Sequence, residues 1–247
     1  MIYSETFQVR CYEVDSHDNY KAFSFANVAQ EIAHIHSTKM GFGYASIIDK
    51  NLVWIISRMH FKFVKTPRWE DIVTLKTWSK STEGLFAIRD YMMTDQDGNP
   101  LILGTSSWLI MDLKERRLKR MDHALSKEDL DKNDPLSAID ENCSKIKPEK
   151  DLEFIWSREV RWSDLDHNLH ANNAKYLEWT LDTLDANYLE NKELSDIKIS
   201  FNHETKLGDK VDLYRKSIDS NTFYVEGKNG ERSIFQVICT FGERRLC

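Results

Sequence analysis

The chain has 247 residues, 41% hydrophobic and 30% charged, with a formal net charge of −6. That is the composition of a soluble globular protein, and its acidic balance disfavours nonspecific binding to nucleic acid or to an anionic membrane. No run reaches the ~18–20 apolar residues of a membrane helix.

Met1 to Arg10 alternate polar and apolar, without the basic-then-apolar plan of a secretory signal. A helix is predicted next, because Phe25, Val28, Ala29, Ile32 and Ile35 recur at three- and four-residue spacing, with Gly41 as its stop. His34 and His36 on it sit two apart, on different faces, and read as ordinary helix residues. Strands are expected at Leu52 to Val64, Asp71 to Trp78, Leu85 to Thr94 and Pro100 to Leu113. The polar stretch 126–150, with Asp134-Pro135 and Lys147-Pro148, reads as a linker. A second helix is predicted through Ala174, Leu177, Leu181, Leu184 and Tyr188, with Asn172 or Asn173 as N-cap. Strands at Ile197 to His203, Lys210 to Ser217, Thr222 to Lys228 and Ser233 to Phe241 complete the chain.

The two halves are copies of one plan. Phe63, Asp71, Val73 and Leu75 recur 138 residues later as Phe201, Asp209, Val211 and Leu213, and Asp15 recurs 151 residues later as Asp166. Asp97-Gly98 and Asn229-Gly230 mark hairpin turns at matching places. The longer connection around Gly41 to Asn51 accounts for the drift in offset. A long helix followed by antiparallel strands, given twice, predicts an α+β fold in which a sheet wraps its helix. The halves are residues 1–125 and 151–247. Cys11, Cys143, Cys239 and Cys247 lack the spacing of a zinc ribbon or a disulfide framework, so the expected compartment is the cytoplasm.

Common catalytic signatures are absent: there is no GxSxG, HExxH, P-loop or GxGxxG. The run Arg161 to Asn173 instead concentrates polar side chains ahead of the second helix. Read as extended backbone, it sets Asp166, Asn168 and His170 on one face and Leu165 and Leu169 on the other. Asp166 supplies a carboxylate, His170 an imidazole, and Asn168 an amide able to hold Asp166. The N-terminus of the following helix offers backbone N–H groups for an oxyanion. Two other readings stand beside this one: a capped loop whose polar residues only satisfy one another, and a metal site from Asp164, Asp166, His167 and His170.

The stretch Trp162 to Trp179, with Leu165-Asp166, Asn168, His170, Asn172-Asn173 and Lys175-Tyr176, resembles the central motif of plant and bacterial acyl-acyl-carrier-protein thioesterases. Arg10-Cys11-Tyr12-Glu13, Gln30-Glu31, Asn51-Leu52-Val53-Trp54, Ser57-Arg58-Met59 and Pro67-Arg68-Trp69-Glu70-Asp71 look like that family's N-terminal repeat. The resemblance implies a double-hotdog fold and hydrolysis of fatty acyl-carrier thioesters without metal or organic cofactor. It carries catalytic roles onto Asp166, Asn168 and His170, and a fourth onto Glu204 in Phe201-Asn202-His203-Glu204-Thr205. Plant members follow that Glu with a Cys. Here Thr205 stands instead, so a carboxylate rather than a thiol is expected to lead, Asp166 acting as nucleophile or as general base. The N-terminal extension that serves plastid targeting in plants is missing, as expected of a bacterial enzyme.

In the first half, Asp15-x-His17-x-Asn19 keeps the motif's spacing, but Thr66 stands at the position of Glu204, and a remnant of duplication is the expectation. Lys114, Arg116, Arg117, Lys119 and Arg120 form a basic run in an acidic chain. It is either a solvated strand end or a dock for acyl carrier protein, the acidic partner that the resemblance implies. Trp54, Met59, Phe61 and Met92 read as core, while the resemblance implies that the first repeat shapes the acyl pocket. An acyl-coenzyme A thioesterase and a non-catalytic acyl- or carrier-binding hotdog module are the rival functions. Two repeats can pack as one pseudo-dimer, and a homodimer of whole chains is left open.

Overall fold

In the computed structural model, which describes residues 1–244, the chain divides into two units at Cys143/Ser144. Cys247 lies outside the described residues.

The first unit contains β1 (Tyr3–Gln8), α1 (Ala22–Lys39), α2 (Tyr44–Ile48), β2 (Leu52–Phe63), β3 (Ile72–Glu83), β4 (Phe86–Thr94), β5 (Pro100–Asp112), β6 (Arg117–Lys119) and the short helices α3 (Met121–Ala124) and α4 (Lys127–Leu130). Its sheet runs β1-β3-β4-β5-β2, with β6 added to β5, and every pairing is antiparallel. Helix α1 buries Phe25, Ala29 and Ile32 of the predicted stripe, with Ala22, Ala26 and Ala33 beside them, while Val28 and Ile35 are only half-buried. Phe25 meets Phe61 of β2 edge-on, ring centres 4.8 Å apart. Each such large side chain contributes roughly 1.5–3 kcal/mol on burial. Gly41 ends α1 as foreseen: at φ 90° it lets its own N–H reach Thr38 O and the Phe42 N–H reach Ser37 O, each at 3.1 Å. A left-handed glycine supplies this stop without steric cost.

The second unit contains β7 (Glu153–Glu159), α5 (Asn173–Leu181), α6 (Ala186–Asn191), β8 (Lys192–Phe201), β9 (Lys210–Ser217), β10 (Thr222–Asn229) and β11 (Arg232–Glu243). Its order, β7-β9-β10-β11-β8, reproduces the first unit strand for strand. Both units are hotdogs, each an antiparallel sheet against a helix. The second helix is shorter than its spacing predicts. Short polar side chains divert the backbone after Leu181: the Asp185 carboxylate accepts the Asn187 N–H, and Thr183 and Leu184 turn back on Thr180 and Leu181. Such residues compete with helical hydrogen bonds and favour new caps.

The stretch 126–150, expected as a linker, is in large part fastened to the first unit. Trp78 donates to Leu136 O at 2.7 Å and Lys80 to Ile139 O at 2.8 Å. Ala138 N–H reaches the buried Asp90 carboxylate at 2.8 Å, and Arg58 reaches Cys143 O at 2.9 Å. Ile139 and Cys143 are buried. No helix among the described residues is long and apolar enough to cross a membrane.

Candidate active site

The run 161–173 folds as a short 3-10 turn, Trp162–Asp164, a tight reversal, and then α5. Asp164 is the anchor. Almost fully buried, it accepts from Arg158 at 2.9 Å and from the Arg161 N–H at 2.8 Å, and its C=O takes the Asn172 N–H at 2.8 Å. Arg158 lies over the Trp179 ring, 5.2 Å from its centre. Asn172 then caps α5, accepting the Ala174 N–H at 2.9 Å.

Between these anchors the chain reverses on Asp166. Its N–H donates to His170 O at 2.8 Å, and its Oδ1 accepts the N–H groups of Asn168 at 2.8 Å and His170 at 3.3 Å. Leu169 adopts φ 63° to close the turn and is 64% exposed. The extended, one-face reading of Asp166, Asn168 and His170 is therefore corrected. A carboxylate that accepts two following amides bends the backbone, so the alternation of side chains does not apply. Asn168 holds Asp166 through its main chain rather than its side chain, whose amide lies 3.4 Å from His167 Nε2.

The turn pairs with the segment after β8. Leu165 bridges Ala171, His170 bridges Lys206, and the Ala171 N–H donates to Thr205 O at 2.9 Å. This register brings His170 Nε2 to 3.4 Å from Glu204 Oε1, both side chains open to solvent. Asp166, Asn168, His170 and Glu204 thus converge on one turn and the segment beside it. Thr205, next to the exposed Glu204, is fully buried. Its hydroxyl lies 3.0 Å from the Tyr176 hydroxyl. The helical spacing passed over Tyr176, although it is one of the most deeply buried residues of α5. Desolvation pushes its pKa up to about 12, so it stays protonated.

No group of three or more His, Cys, Asp or Glu able to hold a metal ion occurs among the described residues. Asp164, one member of the metal reading, is committed to Arg158.

The first unit contains the same reversal. Asp15 Oδ1 accepts the N–H groups of His17 and Asn19 at 2.8 and 3.0 Å, Asp18 takes φ 63°, and Asn19 bridges Arg68. Asn19 thereby matches His170, and Thr66 matches Glu204. The first unit has the turn without the imidazole–carboxylate pair.

The basic run lies on the β5–β6 hairpin, turning at Arg116 with φ 51°. Lys119 holds Asp112 at 2.8 Å and draws its carboxyl down to about 2, while Arg120 pairs with Asp122. Lys114, Arg116 and Arg117 have no ion pair among the described residues.

His36 is not an ordinary helix residue. It is buried, with its Nδ1 2.8 Å from Arg89 Nη1.

Residues 1–128 match the model of the acyl-ACP thioesterase N-terminal domain, and residues 147–238 that of the acyl-ACP thioesterase C-terminal domain. The chain is 31% identical over 246 residues to the chloroplastic oleoyl-acyl carrier protein thioesterase of Coriandrum sativum, covering 92% of this chain and 67% of that protein. It is 28% identical over 233 residues to the chloroplastic palmitoyl-acyl carrier protein thioesterase of Gossypium hirsutum, covering 90% and 56%. In fold it resembles the 12:0-ACP thioesterase from Umbellularia californica, with a TM-score of 0.90, 22% identity and 98% of both chains covered. It likewise resembles an acyl-ACP thioesterase from Bacteroides thetaiotaomicron, with a TM-score of 0.85, 23% identity and 98% of both chains covered. With both domains matched in order across two hotdog units, the chain belongs to the acyl-ACP thioesterase family.

Proposed function

We propose that this protein is a thiolester hydrolase that releases free fatty acid from acyl-acyl-carrier protein in fatty acid biosynthesis, with Asp166, Asn168, His170 and Glu204 as its working residues. The observation that carries the reading is the His170–Glu204 pair at 3.4 Å beside the Asp166 turn, present in one repeat and replaced by Asn19 and Thr66 in the other. A fold-only role would need the pair in both or in neither.

Both hydrogen bonds that the Asp166 carboxylate accepts from the turn fall on Oδ1, leaving Oδ2 to act on the thioester carbonyl, by direct attack or through a water. His170 and Glu204 form the relay that prepares the hydrolytic water. Asn168 fixes Asp166 through its main chain, and its exposed amide is left to donate to the carbonyl oxygen. We assign the acyl chain to the first unit, on the family likeness, and carrier docking to Lys114, Arg116 and Arg117. The cysteine spacing, which offers no disulfide framework, supports a cytoplasmic setting.

The test is an assay of the purified protein against acyl-carrier-protein and acyl-coenzyme A series of varied chain length. Preferential turnover of the carrier series is expected. Preference for coenzyme A would favour the rival carrier, and turnover of neither would favour a non-catalytic binding module.

A further inference from the structure

We infer that the buried Tyr176 hydroxyl is a positioning group for Glu204, locking the backbone that holds this carboxylate against His170. The inference rests on the proposed role of Glu204 in hydrolysis.

Glu204 has little to hold it. Its side chain is 58% exposed, and His170 is the partner it meets in the fold. Its location depends on the backbone of 204–206, a segment without helix or ladder of its own beyond the single bridge from His170 to Lys206. The His203 N–H holds Ile234 O at 3.0 Å on one side, and the Lys206 N–H holds the Asp209 carboxylate at 2.8 Å on the other. Between them Thr205 is the one buried residue of 203–210 and adds the grip next to Glu204. Thr205 O accepts the Ala171 N–H from the Asp166 turn. Thr205 Oγ1 lies 3.0 Å from the Tyr176 oxygen. One phenol, carried on α5 and itself clamped by Phe235 stacked 4.8 Å away and by Trp179, thus engages the Thr205 hydroxyl. Thr205 is buried while Glu204 beside it is exposed, so fixing Thr205 inward holds Glu204 outward.

The first unit supplies an internal control. At the positions of Tyr176 and Thr205 it has Phe25 and Pro67. Phe25 lacks the hydroxyl, and Pro67 lacks both hydroxyl and N–H. The backbone bond survives nonetheless: the Tyr20 N–H donates to Pro67 O at 2.8 Å, as Ala171 does to Thr205. The hotdog is therefore built equally well with an apolar pair here. The phenol–threonine lock occurs only in the repeat that carries His170 and Glu204.

The test compares Tyr176→Phe, Thr205→Val, Thr205→Ser, Glu204→Gln and the double variant Tyr176→Phe/Glu204→Gln. Each is assayed for kcat and KM on an acyl-carrier-protein thioester, with thermal unfolding recorded. Tyr176→Phe and Thr205→Val are expected to lower kcat about tenfold with KM little changed, because a small displacement of a reacting group is costly. Thr205→Ser should restore kcat. Added to Glu204→Gln, Tyr176→Phe should cost less than about twofold more, since groups acting in series are not additive. An undiminished loss in the Glu204→Gln background, a rise in KM alone, or unfolding of both Tyr176→Phe and Thr205→Val would overturn the inference. Full activity in Glu204→Gln would sink the underlying reading and the inference with it, a result separable from the others because Tyr176 is then intact.

Discussion

Asp15 and Asp166 tie the same turn. Each Oδ1 accepts the N–H two residues on at 2.8 Å, and the N–H four residues on at 3.0 Å for Asn19 and 3.3 Å for His170. Asp15 therefore serves as the structural control for the role proposed for Asp166. Asparagine keeps the Oδ1 acceptor and removes the charge. Asp166→Asn is expected to stay within about 0.5 kcal/mol of wild-type stability while losing ~100- to 10,000-fold in rate. Asp15→Asn should leave kcat nearly unchanged. A folded Asp166→Asn enzyme with activity within a few-fold of wild type would remove Asp166 from the mechanism.

The first unit also prescribes the mildest way to delete the imidazole–carboxylate pair. His170→Asn with Glu204→Thr installs the residues that Asn19 and Thr66 contribute to the equivalent register. The protein should fold, because that register is already stable with those side chains. Its kcat should fall ~100-fold or more if the pair prepares water. Steady-state kinetics alongside circular dichroism decide the matter, and retained turnover would return the pair to the status of a surface contact.

The duplicated architecture was legible because it is written in apolar spacing: the α1 stripe, the Gly41 stop, and the hairpin glycines act locally. Of the four proposed site residues, Asp166, Asn168 and His170 stood out in the polar run and Glu204 came through the resemblance, whereas their arrangement was not legible. Period-two alternation assumed extended backbone, and a side-chain carboxylate closing on its own amides overrides that assumption. Tyr176 stands in the Trp162 to Trp179 motif without a role, because its place in the chain does not show what its hydroxyl meets. Only its partner, 29 residues away, gives its hydroxyl a purpose. The basic run was read as five equivalent charges, and neighbouring carboxylates neutralise two of them.

That neutralisation sharpens the docking prediction. Arg116→Glu/Arg117→Glu should raise KM for acyl-carrier protein and increase the effect of no other substrate property, because exposed charges act on encounter. Turnover of a short acyl thioester lacking the carrier should hardly change. Lys119→Glu, by contrast, would abandon Asp112 and perturb the hairpin on both substrates. Rising salt should weaken the wild type on the carrier substrate, by screening over ~10 Å at 0.1 M. Equal losses on both substrates in the Arg116/Arg117 variant would end the docking role.

Gly227 on β10 faces Phe235 on β11, and a Cβ there would sit 2.2 Å from the ring. Gly227→Ala must displace Phe235, which stacks on Tyr176. A loss of about 1–3 kcal/mol is expected from overpacking, measured by urea denaturation, together with a fall in kcat through the disturbed phenol. Unchanged stability would mean that the ring has room to move.

The last prediction concerns pH and the first unit. Arg89 Nη1 can only donate, so His36 Nδ1 must accept, and the ring proton sits on Nε2, which is buried without a partner. Burial, then the Arg89 charge, the N-terminal ammonium and Lys39, lower the His36 pKa from 6.5 to about 4. As pH falls from 6.5, the unfolded chain takes up this proton before the folded one does, so stability falls with pH across that window and the loss is complete below about pH 4. At roughly 1.4 kcal/mol per unit, the ceiling on the loss is about 3 kcal/mol. Carboxylates titrate in the same range, so the comparison must be internal. His36→Gln retains an acceptor for Arg89 and cannot titrate. Urea midpoints recorded from pH 7 to pH 4 should fall more steeply for wild type than for His36→Gln, the two curves converging or crossing at the acid end. Parallel curves would show that His36 takes up its proton equally in both states and that the guanidinium beside it imposes no acid sensitivity on the fold.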